Sequence, residues 1–232
     1  MKILALDTST LTGSVALIDD GAVLAESVAR VRANHSEQLL PLVEEVLTRA
    51  NVALDALDRI AVGIGPGSFT GVRIAVATAK GLHLASGVAL YGVSSLDALA
   101  ASAWCAHGPV LAALDARRGE LYAALYNARG ADPRVLMAPC HGAASRVGER
   151  VLACCEGVVT VVGDLSSADF AALSSSAPSR FTRAPRVFEA PLARVIAWEA
   201  FEGRATLDTG ALEPLYVRGS DAKLPGGREV PA

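Results

Sequence analysis

The stretch that decides the fold opens the chain, where residues 1–10 read MKILALDTST. Ile3–Asp7 is a short apolar run that ends in a carboxylate, a pattern typical of a buried strand. Two further apolar runs follow at Gly13–Ile18 and Val23–Val28, and the Asp20-Gly21 pair between them is a strong hairpin signal. The chain is therefore predicted to open as an antiparallel meander of three strands.

The same order of elements begins again roughly 108 residues further on. Leu111–Asp115 reads LAALD and resembles the ILALD of Ile3–Asp7. Each half continues with a hairpin, a helix and a buried strand that ends at glycine, Arg59–Gly65 in the first and Val158–Gly163 in the second. This repetition predicts two related α/β halves, each with a mixed sheet flanked by helices.

The repeat also places the boundaries of the predicted units. Residues 1–107 are expected to form the N-terminal subdomain and residues 108–218 the C-terminal one. The last helix of the second subdomain could pack back on the first. Residues 219–232 are rich in glycine, proline and charge and are expected to be a disordered tail.

Composition excludes several classes of protein. Of the 232 residues, 52% are hydrophobic and 19% are charged, which excludes wholesale disorder. A protein that binds nucleic acid by itself usually carries a net positive charge, whereas the net charge here is −3. Contact with tRNA or DNA is therefore expected only through a partner. The four cysteines form no CxxC pair, and a reducing cytoplasm is the expected location, with no signal peptide and no membrane contact.

Asp7 and Asp115 end equivalent strands, where proteins built from two such halves hold metal and phosphate. Thr8, Ser9 and Thr10 follow the first carboxylate, and Ala116, Arg117 and Arg118 follow the second. A phosphate-wrapping hairpin needs glycine or small residues, whereas two arginines crowd it, although they could bind an anion themselves. Two interpretations remain open. The carboxylates either cap turns or belong to the remnant of a nucleotide or anion site with Ser9, Arg117 and Arg118.

The glycine-rich segment Gly65–Gly71 reads GPGSFTG and lies between a predicted strand and a predicted helix. A phosphate loop would occupy this position, with amides of Gly67 and Ser68 near the ligand. It is not a Walker A loop, because Val72 and Arg73 stand where a lysine would follow. A tight turn, with Ser68 or Thr70 capping the helix, is an equal alternative.

Two predicted helices, Ser36–Ala50 and Thr70–Ala85, have more apolar surface than one sheet contact needs. Gly71, Ala75 and Ala79 form a stripe of small residues that allows a close helix approach. The helices could pack on each other within the chain, but we predict that they form an intermolecular face. The predicted partner interface consists of Ser36, Leu39, Leu40, Val43, Leu47, Arg73, Ala75, Val76 and Ala79.

No arrangement of residues for catalysis or metal binding is visible. The histidines, at positions 35, 83, 107 and 141, include no pair at i, i+4, and neither HExxH nor GxSxG occurs. We therefore predict no catalytic residue, no metal and no cofactor for this chain alone.

Four motifs together resemble the bacterial TsaB (YeaZ) family: ILALDTST at 3–10, HSEQLLP at 35–41, GPGSFTGVR at 65–73 and DARRGELY at 115–122. The resemblance runs from Lys2 to about Tyr216. It implies an actin-like (ASKHA) fold and a role in forming N6-threonylcarbamoyladenosine (t6A) beside the tRNA anticodon. The chain would be a dimerisation and scaffold subunit required by a TsaD-like catalytic subunit. It would be joined by a TsaE-like ATPase, would meet tRNA only through the complex, and would form a homodimer when alone.

The resemblance also bears on particular residues. In the catalytic paralogue, two histidines hold the metal, and Ser95 and Leu99 stand at the matching positions here. The family docks its first two helices on the catalytic subunit as a helical bundle, which implies the same for Ser36–Ala50 and Thr70–Ala85.

Two alternatives remain open at this point. One is an actin-like small-molecule kinase or ATPase that uses Asp7 and Asp115, which ATP titration would detect. The other is a free-standing homodimeric scaffold with no role in tRNA modification.

Overall fold

The computed structural model describes most of the chain: residues 1–30, 35–103, 106, 108–127, 134–185, 188, 190, 192–208 and 212–217, without the side chains of 35–37. The expected tail at 219–232 and the side chain of Ser36 therefore lie outside the described residues.

The first half alternates strands and helices in the predicted order. Its elements are β1 (Lys2–Asp7), β2 (Thr12–Asp19), β3 (Ala22–Arg30), α1 (His35–Ala50), β4 (Arg59–Gly63), α2 (Phe69–Ser86), β5 (Ala89–Val93) and α3 (Ser95–Ser102). The second half contains β6 (Pro109–Asp115), β7 (Glu120–Asn127), β8 (Arg134–Ala143), α4 (Ala144–Cys154), β9 (Val159–Val162), α5 (Ser167–Ser174), β10 (Phe181–Arg183), α6 (Ala193–Phe201) and β11 (Thr206–Leu207). Short 3-10 helices occur at Leu54–Ala56 and Pro178–Arg180.

The two halves share one sheet topology. The first sheet has the order β11-β5-β4-β1-β2-β3 and the second has the order β10-β9-β6-β7-β8. In each sheet the central strand, β1 or β6, pairs antiparallel with the next strand and parallel with a later one. The predicted meander is present in β1–β3. The predicted fold class, an α/β actin-like fold with two related subdomains, is confirmed.

Helices cover both faces of the first sheet. α1 and α2 pack on one face and bury the apolar residues of that side with Leu4, Leu6 and Leu17. α6 comes from the second half of the chain and covers the other face, where Ile196 and Ala200 join Ile3, Ala5 and Ile18. Because α6 lies on the first sheet, the last described helix ties the two halves together.

α3 lies at the junction of the halves. Its Leu96 and Leu99 are fully buried and pack with Val110 and Leu114 of β6. The Tyr126 hydroxyl on β7 donates a hydrogen bond of 2.5 Å to Asp97 of the same helix. Within the described part of the chain, no helix is both long and apolar enough to cross a membrane.

Candidate functional site

Asp7 ends β1 in a fully buried position. Its Oδ1 accepts hydrogen bonds from the backbone N–H of Ser9 at 3.0 Å and from the Ser9 hydroxyl at 2.8 Å. Its Oδ2 is buried with no hydrogen-bond partner among the described residues. Burial raises the pKa of Asp7 to about 7, and the Ser9 hydrogen bonds offset only part of that rise. Near neutral pH this carboxyl is therefore partly protonated.

Gly63 of β4 leaves room for the Asp7 side chain. A Cβ added at Gly63 would lie 1.9 Å from Oδ2 of Asp7 and 3.2 Å from Cδ1 of Ile196 on α6. Glycine is therefore required here because the carboxyl occupies the space of a side chain. β4 and α6 enclose Asp7, so its buried side chain does not face an open cleft.

The glycine-rich segment closes over the Thr8–Ser9 turn. A Cβ at Gly67 would lie 2.3 Å from the carbonyl oxygen of Ser9, and one at Gly71 would lie 1.9 Å from that of Thr8. The N–H of Ser68 donates to the Ser9 carbonyl at 2.7 Å, and the Thr8 hydroxyl donates to the Gly71 carbonyl at 2.7 Å. The Ser68 amide that a phosphate would need is therefore already bonded within the chain.

Ser68 also caps α2, because its hydroxyl accepts a hydrogen bond from the Gly71 N–H at 3.3 Å. Of the two open interpretations of this segment, the geometry favours the tight turn. The glycines serve a close approach between two loops of the same chain. The geometry of this segment therefore gives no support to the alternative that the chain is a kinase or ATPase that binds phosphate here.

Asp115 caps its own turn at the end of β6. Its carboxylate accepts from the Arg117 N–H at 2.6 Å and from Arg117 Nη1 at 3.3 Å. Arg117, Arg118 and Gly119 follow each other in left-handed conformations, with φ of 70°, 60° and 74°. This region suits glycine and strains residues with a side chain. Both arginine side chains are exposed.

The predicted remnant thus divides into two clusters. Asp7 and Ser9 lie with Gly67 and Ser68 in the first half, and the Asp115 turn with Arg117 and Arg118 lies in the second. Among the residues that the structure describes, no hydrogen bond or ion pair joins the two clusters.

The strained turn gives a testable prediction. Arg118→Gly should stabilise the protein by up to about 1 kcal/mol in urea unfolding, because glycine adopts a positive φ without steric cost. Arg150→Gly is the control, since this exposed arginine lies in the interior of α4 and the same change should cost about 1 kcal/mol there. A loss of stability in both variants would show that Arg118 makes a contact worth more than its strain.

The positions that match the paralogue's metal ligands are core positions here. Ser95 and Leu99 of α3 are fully buried, and the Ser95 hydroxyl has no hydrogen-bond partner among the described residues. Nowhere in the described ranges do three or more histidine, cysteine or acidic side chains group so as to hold a metal ion.

The helical interface prediction needs a correction. Leu39 and Val43 of α1, and Ala75, Val76 and Ala79 of α2, are at most 5% exposed and belong to the core under the first sheet. The stripe of small residues brings α2 close to its own sheet and the Thr8 turn, so these side chains are not available to a partner. Among the members of the predicted set whose side chains the structure describes, only Leu40, Leu47 and Arg73 lie partly or fully at the surface.

The sequence interpretation included Leu40 but missed two exposed apolar residues of α2, Phe69 and Leu84. Leu40, Phe69 and Leu84 are 54%, 57% and 81% exposed. With Leu47 and Arg73 they form what we call the outer helix face, which has an α1 part (Leu40 and Leu47) and an α2 part (Phe69, Arg73 and Leu84). Phe69 and Arg73 stand four residues apart on α2, and a helical periodicity counted from Phe69 instead of Gly71 would have identified this side.

Arg73 is held in place at one end of this face. Its guanidinium carbon lies 3.7 Å from the centroid of the Phe69 ring, and its Nε donates to the Tyr216 hydroxyl at 3.0 Å. Beside the α1 part, an open groove of about 780 Å³ lies between α1 and the following loop. It is lined mainly by Leu40, Pro41, Val43, Glu44, Leu47, Thr48, Val52, Leu54 and Leu82.

The chain is similar to known proteins in both sequence and structure. Residues 23–151, more than half of the chain, match the family described as "TsaD: tRNA N6-adenosine threonylcarbamoyltransferase". Relatives named "tRNA threonylcarbamoyladenosine biosynthesis protein TsaB" are 46% identical over 128 residues in Escherichia coli and 41% identical over 126 residues in Bacillus subtilis. The chain belongs to this family, in its TsaB (YeaZ) branch.

The extent of the TsaB matches differs between sequence and structure. The matched segments cover 54% of this chain and 55% of each of the two TsaB relatives, so the chain spans about half the length of the curated relatives it matches. The solved YeaZ of Pseudomonas aeruginosa is 29% identical, with a TM-score of 0.72 over 93% of this chain and 99% of that one. A second P. aeruginosa structure, of a protein described as similar to the peptidase YeaZ, gives a TM-score of 0.75 over 94% of this chain and 99% of that one.

Proposed function

We propose that this chain is the scaffold subunit of a tRNA N6-adenosine threonylcarbamoyltransferase, required by a TsaD-like catalytic subunit to form t6A. The observation that carries the proposal is the outer helix face. It is an uncovered apolar surface. Asp7, Asp115 and the glycine-rich segment, in contrast, make contacts within the chain itself. Family membership supplies the pathway, since the TsaB relatives are named for threonylcarbamoyladenosine biosynthesis.

The outer helix face has the composition of a protein interface. Interface hot spots are enriched in aromatic residues and arginine, which Phe69, Arg73 and Tyr216 supply at one end. The groove beside Leu40 and Leu47 is lined largely by apolar residues, which suits a partner's apolar side chains. We propose that the TsaD-like subunit docks here, and that the same face supports a homodimer when this partner is absent.

The chain's chemistry fits a non-catalytic role in that complex. Asp7 is enclosed and Ser95 and Leu99 are core residues, so catalysis is assigned to the TsaD-like partner. The acidic net charge of −3 leaves tRNA to be held mainly by the assembled complex. A TsaE-like ATPase is the third proposed component, and the cytoplasm, where tRNA is modified, is the proposed location.

Leu84→Glu tests the docking surface. Leu84 is 81% exposed, so glutamate should leave the fold intact while a docked partner would have to bury its charge. We expect binding to a TsaD-like subunit to weaken about 30-fold or more, which corresponds to the roughly 2 kcal/mol of a hot spot. Calorimetry measures the affinity, and t6A formation in the reconstituted system should fall with it.

Val158→Glu is the matched control, because Val158 is 50% exposed and lies before β9, in the second half of the chain. It should bind and support t6A formation like the unchanged protein. Equal affinity of both variants would place the interface elsewhere. Full t6A formation in the absence of this chain would overturn the scaffold role itself.

A further inference from the structure

The α2 part of the outer helix face belongs to a longer stripe of surface residues along the helix. Its members recur at intervals of three and four residues, so at about 100° per residue they lie within about 80° around the helix axis. We call this set the α2 stripe; it consists of Phe69, Arg73, Ala77, Lys80 and Leu84. Lys80 is partly exposed and the other four are exposed. A second helix can therefore lie along α2 on this side.

The charge of the α2 stripe is of one sign. Arg73 and Lys80 are basic, and α2 contains no aspartate or glutamate. Among the residues that the structure describes, no ion pair joins either side chain to a carboxylate. The whole chain has a net charge of −3, so this positive charge is a local feature of α2. A partner that covers the stripe must supply negative charge, or it leaves two cations desolvated and unpaired.

Arg73 is fixed in advance by two aromatic residues. Its guanidinium carbon lies 3.7 Å from the ring centroid of Phe69 and 5.9 Å from that of Tyr216. Its Nε donates to the Tyr216 hydroxyl, whereas its two Nη groups have no hydrogen-bond partner among the described residues. These two groups can bind one carboxylate in a bidentate manner. Because the side chain is already ordered, this contact costs less conformational entropy than one to a mobile arginine.

The spacing of the charges and the apolar ends of the stripe favour a helix as the partner. Arg73 and Lys80 stand seven residues apart, which is about 10 Å along the helix axis. Two carboxylates that are two turns apart on a facing helix have the same spacing. Phe69 and Leu84 lie beyond the two charges, where they can pack with apolar residues of that helix. Ala77, between the charges, allows the two helices to approach closely.

We propose that the α2 stripe recognises an acidic amphipathic helix of the TsaD-like subunit, with one carboxylate on Arg73 and a second, two turns away, on Lys80. The identity of the partner rests on the proposed function, and the stripe adds the chemistry by which that partner is recognised. Nucleic acid suits the stripe less well. Interfaces with DNA are polar and strongly positive, whereas this stripe has an exposed apolar residue at each end.

The sign of a charge added at position 84 tests this recognition. Leu84→Lys and Leu84→Glu both lose the apolar contact of the leucine, but only the glutamate is repelled by an acidic helix. Calorimetry at low salt should therefore show at least about tenfold tighter binding to the TsaD-like subunit for the lysine variant than for the glutamate variant. The difference should shrink as the salt concentration rises to about 0.5 M, because salt screens the charges.

Lys80→Glu tests the stripe itself. Reversing this charge should weaken binding to the TsaD-like subunit at least about tenfold, while far-UV circular dichroism remains unchanged. Arg150→Glu is the matched control, since it makes the same change of charge at an exposed arginine of α4, and it should bind like the unchanged chain. Replacing an acidic residue of the partner's docking helix by lysine should restore the affinity of Lys80→Glu.

The outcomes separate this recognition from the docking surface. Equal weakening by Leu84→Lys and Leu84→Glu, with Lys80→Glu binding as well as Arg150→Glu, would overturn the acidic helix and leave docking on the outer helix face in place. Unchanged binding of all four variants would overturn both. A Lys80→Glu variant that binds the TsaD-like subunit normally but weakens tRNA binding by the assembled complex would assign the stripe to nucleic acid instead.

Discussion

Gly71→Ala should destabilise the protein by about 3 kcal/mol or more, the upper end of what overpacking a buried site costs. The added Cβ would lie 1.9 Å from the carbonyl oxygen of Thr8. That oxygen belongs to the backbone, so it cannot rotate away as a flexible side chain could. Relief would require separating α2 from the turn after β1 and breaking the hydrogen bond from the Thr8 hydroxyl to the Gly71 carbonyl.

Gly81→Ala is the control for this substitution. Gly81 lies in the same helix, and a Cβ added there would meet no atom within 4 Å. Alanine should stabilise the helix by roughly 0.5–1 kcal/mol at this position. Urea unfolding with far-UV circular dichroism measures both variants. If the Gly71 variant were as stable as the Gly81 variant, the described contact between the two loops would be wrong.

Asp7→Asn should change the pH dependence of stability. Burial raises the pKa of Asp7 to about 7 in the folded protein, whereas an unfolded aspartate titrates near 3.9. Between these values the folded state retains a proton that the unfolded state has lost. The stability that the neutral carboxyl contributes is therefore complete below about pH 4 and is lost as the pH rises through about 7. Asparagine cannot ionise and should remove this loss.

The expected magnitude follows from the size of the shift. The folded and unfolded pKa values differ by about three, and each unit corresponds to 1.36 kcal/mol. Between pH 4 and pH 8 the Asn variant should therefore gain at most about 4 kcal/mol in free energy of unfolding relative to the unchanged protein. The measurement is the free energy of unfolding in urea at several pH values. A difference between the two proteins that stays constant with pH would contradict the raised pKa.

Ser9→Ala gives a second test of the same site. The Ser9 hydroxyl donates to Asp7 and thereby favours the ionised form. Its removal should raise the pKa of Asp7 further and move the loss of stability to higher pH. A shift in the opposite direction would show that the serine is not the donor.

Much of the fold was predictable from local patterns. The recurrence of ILALD as LAALD identified two equivalent central strands, and Asp20-Gly21 identified the hairpin between β2 and β3. The residues that make up each signal lie within a few positions of one another, so the signal can be recognised without knowledge of the rest of the chain. The four family motifs identified the TsaB branch for the same reason, since each is a short contiguous string.

The site residues were less predictable. The small residues of α2 indicated close packing, but nothing local specified whether a partner or the chain's own sheet would approach them. The decision came from Thr8 and Ser9, about 60 residues away, whose carbonyls occupy the space above Gly71 and Gly67. The exposure of the α2 part of the outer helix face follows from this packing. Because Ala75 and Ala79 are buried, Phe69, Arg73 and Leu84 point away from the sheet.

The sequence by itself determined the repeat, the order of strands and helices along each half and the family. Only the tertiary structure decided which helix faces are buried, that Asp7 is enclosed by Gly63 and Ile196, and that β3 lies at an edge among the described strands. The physical reason is that propensity and periodicity act between near neighbours, whereas burial depends on which distant segments fill the surrounding space. Exposure, the pKa of a buried carboxyl and the position of a strand at a sheet edge are properties of that packing, so they arise only when the whole chain is folded.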